Sequence, residues 1–345
     1  MTVVSLPTEA PEPPFDHLLR LSDSIGTFEH AEYVTPRRDN GYCTDDMARV
    51  VIVVAREPSP SRSVIALGRT AMRFLVAAQD VVGRTRNRRD AEGHWHGRHG
   101  VEDCWGRSLH AFGTAATRGQ DEWLRQIGAS SLGHAVQRRS PWPRAMAFAA
   151  LGAAEMLETD PHHYAARSLL RDAVEIIGSP TGDLRWQWPE PRLSYANATV
   201  AEALLAAGHA LERADVVDHG CVLLQWLLDR ETVGGHLSST PAGGSGPGDV
   251  APGFDQQPIE AAAMADACAR AESVTGDPEW GRGIDLAVGW FLGDNDAGVA
   301  MLDVETGGGY DGLHATGPNR NQGAESTLAL ISTLQHARAR RLRTP

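Results

Sequence analysis

The feature that most constrains this chain is its apolar period, which is helical almost from end to end. No convincing run alternates with period two. The spacing predicts twelve helices, near 14–24, 45–56, 61–79, 103–118, 120–137, 143–158, 161–178, 196–211, 214–229, 257–275, 279–293 and 322–340. They alternate in kind. One set is small and apolar on every face, as in RAMAFAALGAAEML and ANATVAEALLAAGHAL. The other is amphipathic, as in DEWLRQIGASSLGHAVQRR and HYAARSLLRDAVEII. A helix apolar all round is buried, and an amphipathic one lies outside it. Six of each, in alternation, predict an all-α (α/α)6 toroid of six helical hairpins, with an inner and an outer ring. Inner helices starting near 45, 103, 143, 196, 257 and 322 give one hairpin and one loop per repeat. Residues 1–345 are expected to form a single toroid domain, with frayed ends at 1–13 and 339–345.

The loops ahead of the inner helices are long and chemically dense. They include RRDNGYCTDD, RRDAEGHWHGRHGVEDCW, RWQWPEPRLSYAN and GGGYDGLHATGPNRNQGAES. The other connections are short, such as TGDPEW. In a toroid the inner helices all begin at one end, so one rim collects these loops and six helix N-termini. Long loops on a rigid scaffold are where function usually sits. The Gly-, Ser- and Pro-rich stretch 238–253 reads as a loop or lid on that rim.

Composition removes several classes of function. The chain of 345 residues carries 32 basic against 44 acidic residues, a net charge of −12. That argues against a broad nucleic-acid or anionic-membrane surface. Every basic residue is arginine, so lysine Schiff-base chemistry, lysine-held pyridoxal phosphate and a P-loop lysine are excluded. No stretch of 18 apolar residues exists to span a membrane, and the N-terminus carries no signal-like segment. Cys43, Cys104, Cys221 and Cys268 are far apart and read as free thiols in a cytoplasmic protein. No dinucleotide, P-loop, serine-elbow or HExxH motif is present. His94, His96 and His99 share a loop, but their spacing matches no strong zinc template, and no metal or cofactor is expected.

The rim loops are rich in carboxylates: Asp39, Asp45, Asp46, Glu102, Asp103, Glu190, Asp255, Glu260, Asp311 and Glu325. Helix capping accounts for some of them. It does not account for ten beside aromatics and amides. Paired carboxylates are what glycoside hydrolysis needs, one as proton donor and one as base or nucleophile. The catalytic candidates are Asp46 first, then Asp45, Asp103, Asp255 and Glu325. Adjacent Asp45 and Asp46 cannot both cap one helix, and if both point inward one pKa should rise. Flat indole and phenol faces suit sugar rings. Tyr42, Trp95, Trp105, Trp142, Trp186, Trp188, Tyr195 and Tyr310 all fall in these loops or at helix starts. Planar amides and guanidinium forks read hydroxyls with directional bonds. Asn40, Arg107, Arg144, Asn197, Gln256, Gln257, Asn321 and Gln322 are placed for that. The substrate-binding set is therefore Asp39, Tyr42, Trp105, Arg107, Arg144, Trp188, Asn197, Gln256, Gln257, Glu260, Tyr310, Asp311, Asn321 and Gln322.

The runs DNGYCTDDMAR, EDCWGRSLHAFG, SPWPRAMAFAALG, LSYANATVAEALLAAG, FDQQPIEAAAMADAC and NQGAESTLA together resemble a bacterial family of (α/α)6 glycosidase-like proteins. Its members are often found beside glycosyltransferases. The resemblance covers roughly residues 15–338, and FDQQPIEAAA and NQGAESTLA carry it most specifically. It implies a toroid, a carbohydrate context and a functional association with a glycosyltransferase. Met47 stands where the family often has Asn, Ala196 at an Asp-like position and Thr199 at an Arg. The resemblance therefore carries fold and context rather than a shared substrate.

The expected activity is glycoside hydrolysis of an oligo- or polysaccharide, with phosphorolysis as a variant using Arg107 or Arg144 for the anion. A sugar epimerase or isomerase on the same fold would instead use histidine bases, with His30 as a candidate. A non-catalytic glycan-binding partner of a glycosyltransferase would use the same rim without turnover. A prenyl-diphosphate cyclase is disfavoured, because the rim is too polar and amide-rich.

Overall fold

In the computed structural model, which describes residues 10–343, the small-residue helices form a closed inner ring. The inner helices are α2 (Thr44–Arg56), α4 (Asp103–Arg118), α6 (Pro143–Thr159), α8 (Ala198–Leu211), α10 (Pro258–Thr275) and α12 (Ala324–Arg341). Each packs on the next, and α12 closes on α2. The outer helices are α1 (Asp16–Arg20), α3 (Arg62–Ala78), α5 (Glu122–Ala135), α7 (Tyr164–Ile177), α9 (Ala214–Arg230) and α11 (Gly281–Leu292). The (α/α)6 toroid expected from periodicity is the fold. The sixth hairpin joins the two ends of the chain, with α1 packed on α12.

Burial explains the two kinds of helix. Every residue of α6 from Arg144 to Leu157 is buried, whereas α7 buries only five positions on one stripe. Small residues let the inner helices approach closely. A Cβ on Gly113 would lie 2.1 Å from the Gly152 carbonyl oxygen, and one on Gly152 would lie 2.0 Å from that of Leu109. Helices α4 and α6 thus touch backbone to backbone.

The two ends of the chain depart from expectation. Helix α1 is one short turn, not a run over 14–24, because Ser22 pairs with Thr27 and the Asp23 carboxylate accepts from Ile25 N at 2.8 Å. The tail expected to fray after 338 stays helical to Arg341. Arg338 reaches Glu57 at 2.8 Å and Arg340 reaches Asp285 at 2.8 Å, which hold it down. Residues 1–9 of the other expected frayed end lie outside the described residues.

The two ends of the ring differ. Towards the C-terminal ends of the inner helices, part-buried ion pairs join these helices to one another across the ring: Arg56–Asp266 at 2.7 Å, Arg270–Glu155 at 2.7 Å and Arg118–Glu155 at 2.6 Å. The N-terminal end gathers the long segments 21–43, 79–102, 178–197, 231–257 and 293–323. Only two- and three-residue strands brace them, such as Tyr42–Cys43, Arg88–Arg89 and Trp95–His96 in one small sheet. Among the described residues no helix is long and apolar enough to cross a membrane. All four cysteines are free.

Candidate active site

The start of α2 sets the geometry of the rim. Cys43 is its N-cap residue, and its sulfur accepts from Asp46 N at 3.4 Å. Neither aspartate of the TDD run is needed as the cap, and both face a cavity of about 570 Å³. Asp103 opens α4, with Arg107 one turn further along the same wall. Glu325 lies in the first turn of α12. Asp311 accepts from Gly323 N at 2.7 Å and so pins the loop ahead of α12.

At the centre is a fork that sequence reading missed. Arg49 reaches Asp46 Oδ1 through Nη1 and Glu325 Oε2 through Nη2, both at 2.6 Å. The Cys43 thiol donates to Asp46 Oδ2 at 3.1 Å. Asp46 is 1% exposed, and burial raises its pKa despite Arg49. Burial works against the Arg49 charge, but Glu325 and then Asp46 more than offset it and hold the guanidinium charged. Glu325 remains open, with 42% of its side chain exposed. One guanidinium therefore joins a buried carboxyl biased towards its proton to an accessible carboxylate.

A second cationic group lies on the same wall. The Arg107 guanidinium sits 3.9 Å over the Phe148 ring, and its Nε is 3.5 Å from Asp45 Oδ1. That separation is too long for a hydrogen bond. Asp45 Oδ1 is buried without a hydrogen-bond partner. Burial, and then the neighbouring Arg49, lower the Arg107 pKa. At the cavity edge the Tyr195 hydroxyl donates to Asp103 Oδ2, and burial followed by that bond raises the phenol pKa.

Of the five carboxylates expected to be catalytic, Asp45, Asp46, Asp103 and Glu325 line this cavity. Asp255 does not: it is half-exposed and pairs with His314. Of the expected binding residues, Arg107, Gln257, Asp311 and Asn321 are on the wall. The others stand elsewhere. Asp39 is exposed in the turn Arg38–Asn40. Tyr42 is buried on Phe28, ring centroids 4.6 Å apart, and donates to Asp23 at 2.8 Å. Trp105 is fully buried within the ring. Trp188 is buried against Trp226, its Nε1 spent on Glu190 at 3.2 Å. Gln256 is fully buried, accepting from Trp290 Nε1 at 2.9 Å and donating to Asp296. Gln322 braces Thr306 and Asp303 at 2.7 and 2.9 Å. Tyr310 is half-buried and not part of the lining.

Glu260, Asn197 and Arg144 form an inner support. Glu260 is buried and accepts from Ala196 N, and from Asn197 N at 3.2 Å. This holds Ala196 at φ 44°, a left-handed conformation unusual for alanine. Arg144 donates to Ser194 at 2.7 Å and to Asn197 at 2.9 Å. These three fix the loop that presents Tyr195.

The cavity also takes Glu29, Arg88, Asn319 and Ser326, which sequence reading did not assign to binding or catalysis, and His30, which it offered as the base of an epimerase. A signal existed for Arg49, three residues after Asp46 on one helical face. For Glu29 and Arg88, which pair with each other across 59 positions, there was none.

Among the described residues, Glu29, Cys43 and Asp46 bring three potential metal-ligand atoms within 4.8 Å of one another. Their chemistry does not suit a metal. Burial keeps Cys43 a thiol, which donates to Asp46. Glu29 is paired to Arg88 and Asp46 to Arg49. His94 and His96 both turn to Asp90, at 3.4 and 2.9 Å, on the exposed side of their loop.

No known family model matches the chain, and no curated protein does. Solved structures do. The chain is similar to a sugar epimerase from a ruminal bacterium, with TM-score 0.68 and 11% identity over 94% of this chain and 95% of that one. It is similar to the cellobiose 2-epimerase of Spirochaeta thermophila, with TM-score 0.66 and 13% identity over 93% of each chain. It is also similar to a GH76 α-mannanase of Bacteroides thetaiotaomicron, with TM-score 0.61 and 12% identity over 96% and 94%. The fold is that of the (α/α)6 toroid enzymes, shared by epimerases and glycoside hydrolases alike.

Proposed function

We propose that this chain is a carbohydrate-active enzyme that hydrolyses a glycosidic bond in the rim cavity. The observation that carries the proposal is the pair joined by Arg49. Two carboxyl groups whose environments differ take different roles in acid–base chemistry. Asp46, buried and biased towards protonation, is the proton-holding partner. Glu325, open to the cavity, is the partner that substrate can reach, with Asp103 as the second accessible carboxylate. Arg107 and Asp45, an ion pair 3.5 Å apart on the cavity wall, are the charged groups that substrate hydroxyls would meet beside them. A phosphate in place of water would find Arg107 on the same wall.

The carboxylate count favours cleavage over epimerisation. An imidazole-based epimerase would find one histidine, His30, on the cavity wall. Six carboxylates line that wall: Glu29, Asp45, Asp46, Asp103, Asp311 and Glu325.

A proton NMR time course tests the proposal, with gluco-, manno-, galacto- and arabino-oligosaccharides, with and without phosphate. A new anomeric signal that disappears in Asp46→Asn supports it and gives the stereochemistry. Conversion at C2 without chain shortening would replace it with epimerisation. Line broadening of one sugar without turnover would replace it with binding alone.

A further inference from the structure

A second recess of about 850 Å³ adjoins the cavity. Arg88, Asp103 and Tyr195 line both, so the hydrogen-bonded Tyr195–Asp103 pair stands as a post between them. Both volumes fall in the range of about 300–1,000 Å³ that small-molecule sites occupy. Beyond the post the wall is more apolar and presents one indole. Trp142, at the N-terminus of α6, is 59% exposed, and Pro143 beside it also lines the recess. Its side chain caps nothing, so the indole has no bond in the helix to keep it there. Behind it lies Arg144, 5% exposed, whose Nε and Nη1 have no hydrogen-bond partner and whose guanidinium lies 5.3 Å from the centre of the Tyr195 ring. Its Nη2 is 3.1 Å from Glu190, which also lines the recess. A flat exposed indole backed by a guanidinium and a carboxylate suits a pyranose, which has an apolar face and polar edges.

We infer that this recess is a second sugar-binding subsite, which holds the next unit of the same glycan. One ring stacks on Trp142, and the linkage between rings passes the Asp103–Tyr195 post. The substrate is therefore an oligosaccharide that crosses the post, not a single sugar filling the cavity. The inference rests on the carbohydrate reading of the cavity.

The test is turnover of gluco-, manno- and galacto-oligosaccharides from disaccharide to hexasaccharide, by wild type, Trp142→Ala and Trp142→Phe. Where one series is cleaved, kcat/KM of wild type rises with length. In Trp142→Ala the ratio of longest to shortest falls about tenfold, the scale of one aromatic contact. Trp142→Phe recovers most of that ratio, and circular dichroism of both variants matches wild type. Cleavage with the same length dependence in Trp142→Ala overturns the subsite and leaves the hydrolase reading standing. Cleavage by wild type with no length dependence does likewise. No cleavage or binding of any series, with wild type folded, overturns the carbohydrate reading and the subsite together.

Discussion

Gly113→Ala tests whether backbone contact between α4 and α6 positions the cavity. The added Cβ would lie 2.1 Å from the Gly152 oxygen, whereas ordinary contact begins at 3.4 Å. The difference, 3.4 less 2.1, asks the two helices to part by about 1.3 Å there. The obstacle is backbone, so no side chain can swing away. Overpacking costs about 1–3 kcal/mol, and this site belongs at the upper end. Alanine's better helix propensity returns about 1 kcal/mol, which leaves a net loss of about 2 kcal/mol. For a chain of 345 residues that is a fall in Tm of about 3 °C. Gly133→Ala is the control. It lies exposed in α5, and nothing stands within 4 Å of its added Cβ. The same substitution there should raise stability, by up to about 1 kcal/mol. Calorimetric melts read both. Helix α4 also carries Asp103 and Arg107, so turnover in Gly113→Ala should fall by up to about 100-fold, as a misplacement near 1 Å allows. If Gly113→Ala melts at or above wild type, or Gly133→Ala loses as much, close packing of these helices is not what holds the ring.

Asp46→Asn should reduce turnover about 10²- to 10⁴-fold, the range for losing a general acid or base, measured as initial rate on whichever glycan is cleaved. Arg49→Met leaves Asp46 buried without its cation. Breaking a buried pair costs about 3–5 kcal/mol, and Asp46 can take up a proton, so the loss should sit near the lower figure. Adding Asp46→Asn should recover part of it, and a double-mutant cycle by urea unfolding checks that coupling. Burial, and then the Glu260 charge, push Glu231 up to about 8. A carboxyl raised in the folded state contributes stability present below its unfolded pKa and lost as the pH rises through its folded one. Wild type should therefore lose Tm as the pH rises towards 8, and Glu231→Gln should flatten that fall. Glu155 goes the other way. Burial opposes its charge, but Arg270 and Arg118 overcome this and hold it down at about 2. Its contribution is present above the unfolded pKa and lost as the pH falls from about 4 towards 2, and Glu155→Gln should remove that acid-side loss in an acid titration of ellipticity.

Much of the architecture was legible because burial writes a period into a helix. Runs such as RAMAFAALGAAEML have no polar face to give to water, so they had to form the inner ring. The alternation with amphipathic partners then fixed six hairpins, and hairpin geometry fixed one chemically dense rim. Asp45, Asp46, Asp103 and Glu325 were legible as rim carboxylates for that reason alone. What the period could not report is which rim side chains turn inward together. Tyr42, Trp188, Gln256 and Gln322 have residue types suited to a sugar. The structure gives their polar atoms to Asp23, Glu190, Trp290 and Thr306 instead. Arg49 looked like one more charged position on a helix, until α12 brought Glu325 within 2.6 Å of it across 276 residues. Local sequence determines the face a residue occupies, because that is settled within one helical turn. The partner it meets there comes from another hairpin, and only the closing of the ring brings that partner into reach.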